Sequence, residues 1–381
     1  MDTEKVIPYD LVATKMNHWY LALKNNWVAK AEQMRDEVKE EIELMEENQD
    51  AVVYYQLLKF RHELMLDYLQ PDNVRDIEKQ YEKLRELKNN NQNLTGILEY
   101  YFYFFMGMYY FRQHELVFSL NCYRQAEKCL ETIEGEEVEK AEAYFKLAEV
   151  YYHMKQTYFS MNYAKRAYDI YCKYPTYGVR RVHCQFVISG NWLDNMRHEE
   201  ALKHAEQALE DAEKLGKNYL IRKALFNIGI CYDKLEELSK ASLYYTKSLK
   251  IEEPENLNYE ARAYFMLAFN EGKQENPKKA RVFYDKSKQK ALKCNEKIVL
   301  AKLKMVEGLY LSNSLDLVRE TFQFFEETSM YPDMEWYGVY VGDYLSTKNE
   351  LKGANEFYRK AIDARIKIQR GELLHEIQNF T

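Results

Sequence analysis

The 381-residue sequence predicts an all-α chain: an N-terminal three-helix bundle followed by a C-terminal tetratricopeptide (TPR) solenoid of about seven helical pairs. Three observations carry this expectation. Glycine (13) and proline (6) are scarce for the length, so few residues break helices. Small residues recur inside apolar stretches about 40 residues apart, a period that belongs to helix-pair repeats. Tyrosine is used 34 times, and a large aromatic with a polar tip suits many small helix interfaces whose edges stay wet.

Taken in order, Tyr9–Asn25, Val28–Glu47 and Ala51–Leu69 are amphipathic at helical spacing, with Asn48–Asp50 as the tight turn between the last two. They form the bundle, residues 1–70. Gln70-Pro71-Asp72-Asn73 ends it, and the charged stretch Val74–Lys88 reads as a helix in a linker spanning residues 71–97, closed by Asn89-Asn90-Asn91. Residues 98–381 hold the repeats. Their equivalent small residues are Gly107, Ala148, Ser189, Gly229, Ala268, Gly308 and Gly342. Twelve residues on comes a second small residue (Ser119, Ser160, Ala201, Ala241, Ala280, Ala354), which lets the two helices of a pair approach closely. The unit at Gly308 fits worst, because Glu320 falls where a small residue belongs.

Composition excludes several classes. Met1 is followed by Asp2, Glu4 and Lys5 rather than a basic start and an apolar stretch, so no signal peptide is visible. No run approaches the roughly 18 apolar residues that cross a bilayer. The six cysteines form no CxxC pair and no zinc-like spacing with histidine, which points to free thiols in a reducing, cytoplasmic setting with no metal. A net charge of −7 with acids and bases interspersed gives no basic stripe for direct contact with nucleic acid.

No phosphate-binding, nucleophile-elbow or dinucleotide motif occurs, and no cofactor is implied. His62-Glu63 and His114-Glu115 begin like a zinc-protease helix but lack the second histidine, so they read as surface histidines. In a TPR array the first helix of each pair lines a groove. Counting from the small residues, the groove-side set is Glu149, Tyr152, Asp194, Phe226, Asn227 and Asp233, with Tyr264 and Glu307 as neighbours. An amide such as Asn227 donates and accepts together and so clamps an extended peptide backbone, while the acids favour a peptide carrying Arg or Lys. Gln49, beside Glu47 in an acidic turn, reads by itself as a solvent or capping residue. Aromatic residues expected at the surface of the last repeat, Trp336, Tyr337 and Tyr340, would permit a homo-oligomer.

Four strings resemble the Rap family of Bacillus quorum-sensing regulators: Met45-Glu46-Glu47-Asn48-Gln49-Asp50, Phe60-Arg61-His62-Glu63-Leu64-Met65-Leu66-Asp67-Tyr68, Leu94-Thr95-Gly96-Ile97-Leu98-Glu99-Tyr100-Tyr101-Phe102, and Tyr152 through Met161. The resemblance runs end to end. It implies that the TPR groove binds a Phr signalling pentapeptide and that the bundle engages an effector, which the peptide releases by compacting the solenoid and drawing the bundle in. Asp194 and Asn227 match positions with which the family holds peptide. Some members dephosphorylate a response regulator, a glutamine matching Gln49 orienting water at the aspartyl phosphate. Others sequester a DNA-binding response regulator, and a mobile-element group relieves a repressor to switch on conjugation or excision. Ile7-Pro8-Tyr9-Asp10-Leu11-Val12 looks most like that last group, so an anti-repressor is the first expectation. Gln49 is retained, which keeps a response-regulator aspartate phosphatase as the alternative.

Overall fold

Apolar residues spaced four, three and four apart make one buried stripe of α1 (Tyr9–Lys24): Val12, Met16, Trp19 and Leu23 are all fully buried. This is the computed structural model of the chain, which describes residues 6–69, 77–90, 94–253 and 256–372. Among them run eighteen α-helices and a single isolated β-bridge. Two compact units result, Met1–Val150 and Tyr151–Thr381. No described helix is long and apolar enough to cross a membrane.

The stripe of α1 packs with α2 (Val28–Ile42) and α3 (Gln49–Leu69) as the three-helix bundle. The second helix stops at Ile42, five residues before the expected Glu47, because the following backbone is captured elsewhere. Ile7 donates its N–H to Leu44 and accepts from Glu46, at 2.9 and 2.8 Å, pairing Ile7 with Met45. The chain then runs extended to Asn48, whose Oδ1 accepts the N–H of Ala51 at 2.9 Å and so caps α3. His62 is a correction to the sequence reading. It is fully buried, and its Nδ1 accepts from the Trp19 indole at 2.9 Å, so it is a core residue rather than a surface one.

Linker helix α4 (Ile77–Asn90) lies on the bundle's neighbour α5 (Gly96–Arg112), Tyr81 stacking on Tyr109 with centroids 4.6 Å apart. The residues expected to end the bundle, Gln70-Pro71-Asp72-Asn73, and the start of the linker at Val74 lie outside the described residues, as does Asn91. The bundle also packs directly on the first repeats. Glu139 of α7 (Glu137–His153) accepts from Lys24 at 2.8 Å and from the Tyr20 and Tyr100 hydroxyls at 3.2 and 3.1 Å. The first compact unit thus takes in the bundle, α5, α6 and most of α7.

Seven helix–turn–helix units follow along the chain: α5 and α6 (Leu116–Glu131), α7 and α8 (Thr157–Cys172), α9 (Gly178–Asp194) and α10 (His198–Lys214), α11 (Asn218–Lys234) and α12 (Leu238–Leu249), α13 (Leu257–Lys273) and α14 (Pro277–Lys293), α15 (Lys297–Val306) and α16 (Leu315–Glu327), and α17 (Tyr331–Thr347) and α18 (Leu351–Gln369). The small residues sit where close approach requires them. A Cβ on Gly107, Gly229 or Gly342 would lie 2.6, 2.6 or 2.5 Å from the ring of Tyr123, Tyr245 or Tyr358. Every turn within a pair holds one residue of positive φ: His114, Lys155, Met196, Glu236, Glu275, Asn313 and Asn349.

In six pairs that turn residue stands seven after the small residue, but Asn313 stands only five after Gly308. A π-helical turn over Glu307–Leu311 extends α15, and Ser314 donates to Gly308 at 2.9 Å. Counted from the turn, Val306 takes the small-residue place and Val318, fully buried, takes the place assigned to Glu320. The misfit at Glu320 was a two-residue register error. The last repeat brings a second correction: Tyr337 is buried, and Trp336 and Tyr340 pack against Phe269 of α13, with centroids 6.2 and 5.0 Å away. Their aromatic faces are spent inside the unit rather than offered for self-association.

Candidate functional site

The bundle's chemistry-bearing residue is Gln49. Asn48 caps the helix, so Gln49 is the first residue of α3, exposed together with Glu47 and Asp50. Leu44 and Val52 beside it are exposed apolar side chains, 44% and 38% accessible. An exposed amide at a helix N-terminus with no hydrogen bond to any described residue can reach into a partner without first breaking one of its own.

In the second unit, the carboxyl-terminal ends of α11 and α13 meet α17. Asp233 is buried and pairs with Lys273 at 3.1 Å, and the same ammonium reaches Glu236 at 3.2 Å. Lys234, next along α11, places its Nζ 3.4 Å from the ring centroid of Trp336. Lys273 lies 5.6 Å above the Tyr340 ring, and the Tyr340 hydroxyl is hydrogen-bonded to that of Tyr310. Burial pushes the Lys234 ammonium down to about 8, and the Lys273 charge adds to this against the opposing pull of Asp233, Asp194 and Glu236.

The residues expected to line the groove divide into groups. Tyr152 and Asp194 come together: Asp194 pairs with Lys155 at 2.9 Å, and Lys155 lies 5.2 Å over the Tyr152 ring. Burial, then the Asp194 charge, raises the Tyr152 phenol. Asn227 is half-buried on α11, and its amide makes no hydrogen bond to any described residue. Phe226 and Tyr264 belong to one apolar cluster, Phe226 against Tyr245 and Tyr259, Tyr264 stacked on Phe283. Glu307 accepts a hydrogen bond from the Tyr284 hydroxyl. Glu149 belongs to the first unit and pairs with Lys146 at 2.6 Å. Each of the acids Glu149, Asp194 and Asp233 thus already has a lysine, and a ligand cation would have to compete with it.

Sequence reasoning missed Lys155, Lys234 and Lys273 and gave Trp336 and Tyr340 a surface role. One signal was available. Five residues after the small residue stand Asp194, Lys234 and Lys273, so the register that selected Asp194 also carries two lysines. The two aromatics were unreadable, because only coiling of the pairs brings the seventh back to the fourth and fifth.

Residues 6–67 match the family model described as response regulator aspartate phosphatase H, N terminal, and residues 193–253 match a tetratricopeptide repeat model. The chain is 43% identical over 379 residues to response regulator aspartate phosphatase I of Bacillus subtilis strain 168, covering 99% of this chain and 96% of that relative. A solved Rap protein complexed with Competence and Sporulation Factor is similar at a TM-score of 0.82 and 38% identity, over 96% of this chain and 100% of the other. The Rap conjugation gene regulator of plasmid pLS20, in complex with the Phr* peptide, is similar at a TM-score of 0.65 and 26% identity, over 96% and 98% of the two chains.

Proposed function

The chain belongs to the Rap family, and from that premise we propose that it is a peptide-controlled regulator: its bundle, residues 1–70, holds a protein effector, and a Phr-type pentapeptide bound by the TPR helices releases it. The observation that carries this reading is the packing of the bundle on α5 and α7 through Glu139. Lys24 and Glu139 are 10% and 8% exposed, so the bundle is committed to the repeats by a buried charge pair, a docked state that a bound peptide can favour. Asn227 and the pair Tyr152 and Asp194 are the proposed peptide contacts, with Glu149, Phe226, Asp233, Tyr264 and Glu307 as the wider set.

The effector proposed first is a transcriptional repressor of a mobile element, on the strength of Ile7 to Val12. Part of that string has a structural duty, since Ile7 pairs with Met45. A second reading, response-regulator dephosphorylation, is favoured by the exposure of Gln49 at the start of α3 and by the name of the 43% identical relative. There the amide would orient water at an aspartyl phosphate, a task of positioning rather than of nucleophilic attack. The test is to incubate the full chain with a phosphorylated receiver domain. The phosphatase reading expects a shortened phosphate lifetime that Gln49→Ala restores by about 100-fold or more. Identical lifetimes with wild type, variant and no protein would leave the binding role alone.

A further inference from the structure

Lys234 is a mostly buried ammonium whose only close partner among the described residues is the π-face of Trp336, 3.4 Å away. The neighbouring carboxylates are engaged elsewhere: Asp233 with Lys273, Glu236 with Lys273, and Asp194 with Lys155. An aromatic face compensates a desolvated cation only in part. A carboxylate supplies what the ring cannot, an anionic acceptor for a charge-assisted hydrogen bond.

Spacing indicates where that carboxylate comes from. Asn227 and Lys234 lie seven residues apart on α11, hence on one face and about 10.5 Å apart along the axis. Three extended residues span about 10 Å. A peptide whose backbone is clamped by Asn227 therefore presents a group about three residues further on to Lys234, and every pentapeptide carries one obligatory anion, at its C-terminus. We propose that Lys234, backed by Trp336, captures the C-terminal carboxylate of the bound peptide and so sets its direction and register along α11. The inference rests on the peptide-binding reading above and adds to it the ligand group that the acids of this region do not recognise.

A randomised pentapeptide library, made once as free acids and once as C-terminal amides, tests this, because amidation removes only the terminal charge. The full chain is incubated with each form and retained peptides are quantified by mass spectrometry. Wild type is expected to retain free acids at least about tenfold better than the matching amides. Lys234→Met should abolish the preference, Lys234→Arg should keep it, and Asn227→Ala should weaken both forms alike. Amides retained only when they carry Asp or Glu would overturn the terminal assignment and move the carboxylate to a side chain. Equal retention without such enrichment overturns the anion site and leaves peptide binding standing, whereas retention of neither form rejects peptide binding itself. If Lys234→Met loses its helical circular dichroism, the wild-type ratio of acid to amide decides alone.

Discussion

At the scale of the residue, Lys234 ties the site to pH. Its folded-state pKa, about 8, lies below the ordinary 10.5, so between those values the unfolded chain binds the extra proton and stability rises with pH by this group's share. Asp233 and Glu236 from its own turn, Asp194 from α9, His198 from α10 and Lys273 from α13 face it and are all retained in a Lys234→Met variant. Urea unfolding from pH 7.5 to 9.5 should show wild type gaining stability relative to Lys234→Met. Above about pH 10 the buried tyrosines work the other way, since burial raises phenols such as Tyr245 and Tyr337 and their unfolded forms ionise first. Parallel pH curves below 9.5 would place Lys234 in water and dismiss its burial. Gln49 contrasts with Lys234 on this scale. Its residue type and turn were visible in the sequence, but its exposure at the first position of α3 follows from the capping by Asn48 and the pairing of Ile7 with Met45, a contact over 38 residues.

At the scale of the element, Glu139 decides how α1 is held. Three donors from α1 and α5 converge on one buried carboxylate, and Glu139→Gln removes the charge that the Lys24 ammonium faces there. Breaking such a pair costs about 3–5 kcal/mol. Glu139→Gln should therefore speed amide hydrogen exchange throughout Tyr9–Lys24 while leaving α13 at its wild-type rate. Unchanged protection in α1 would show that aromatic packing, such as Tyr20 on Tyr101 at 5.0 Å, holds the helix without the charge. The sixth pair illustrates what a sequence period cannot resolve. A π-turn needs no recognisable residue type, so residue identity points to Gly308, although the turn at Asn313 places Val306 in that role.

At the scale of the whole molecule, peptide and effector are coupled only if each prefers a different arrangement of the chain. Binding linkage then makes the effect reciprocal. If a peptide retained from the library weakens receiver-domain binding by some factor, typically 5- to 150-fold, the receiver domain must weaken peptide binding by the same factor. Calorimetric titration of peptide into the free and the receiver-bound chain measures it. Equal affinities would reject the release mechanism while leaving both binding sites intact.

Periodicity by itself determined the all-α class, the seven pairs and the identity of the residues that let helices approach, because burial of one face per helix must be written into local spacing. The same register singled out Asn227, and the family resemblance added the expected partners and a role for Gln49. The solenoid stands at the level of its helices. Tertiary structure alone decided which charges are already paired, that Trp336 and Tyr340 turn inward, and that Lys234 lacks an acceptor among the described residues. Those facts depend on contacts between residues about 40 to 100 positions apart, such as Asp233 with Lys273 and Lys234 with Trp336, and no local pattern encodes the angle at which successive pairs stack.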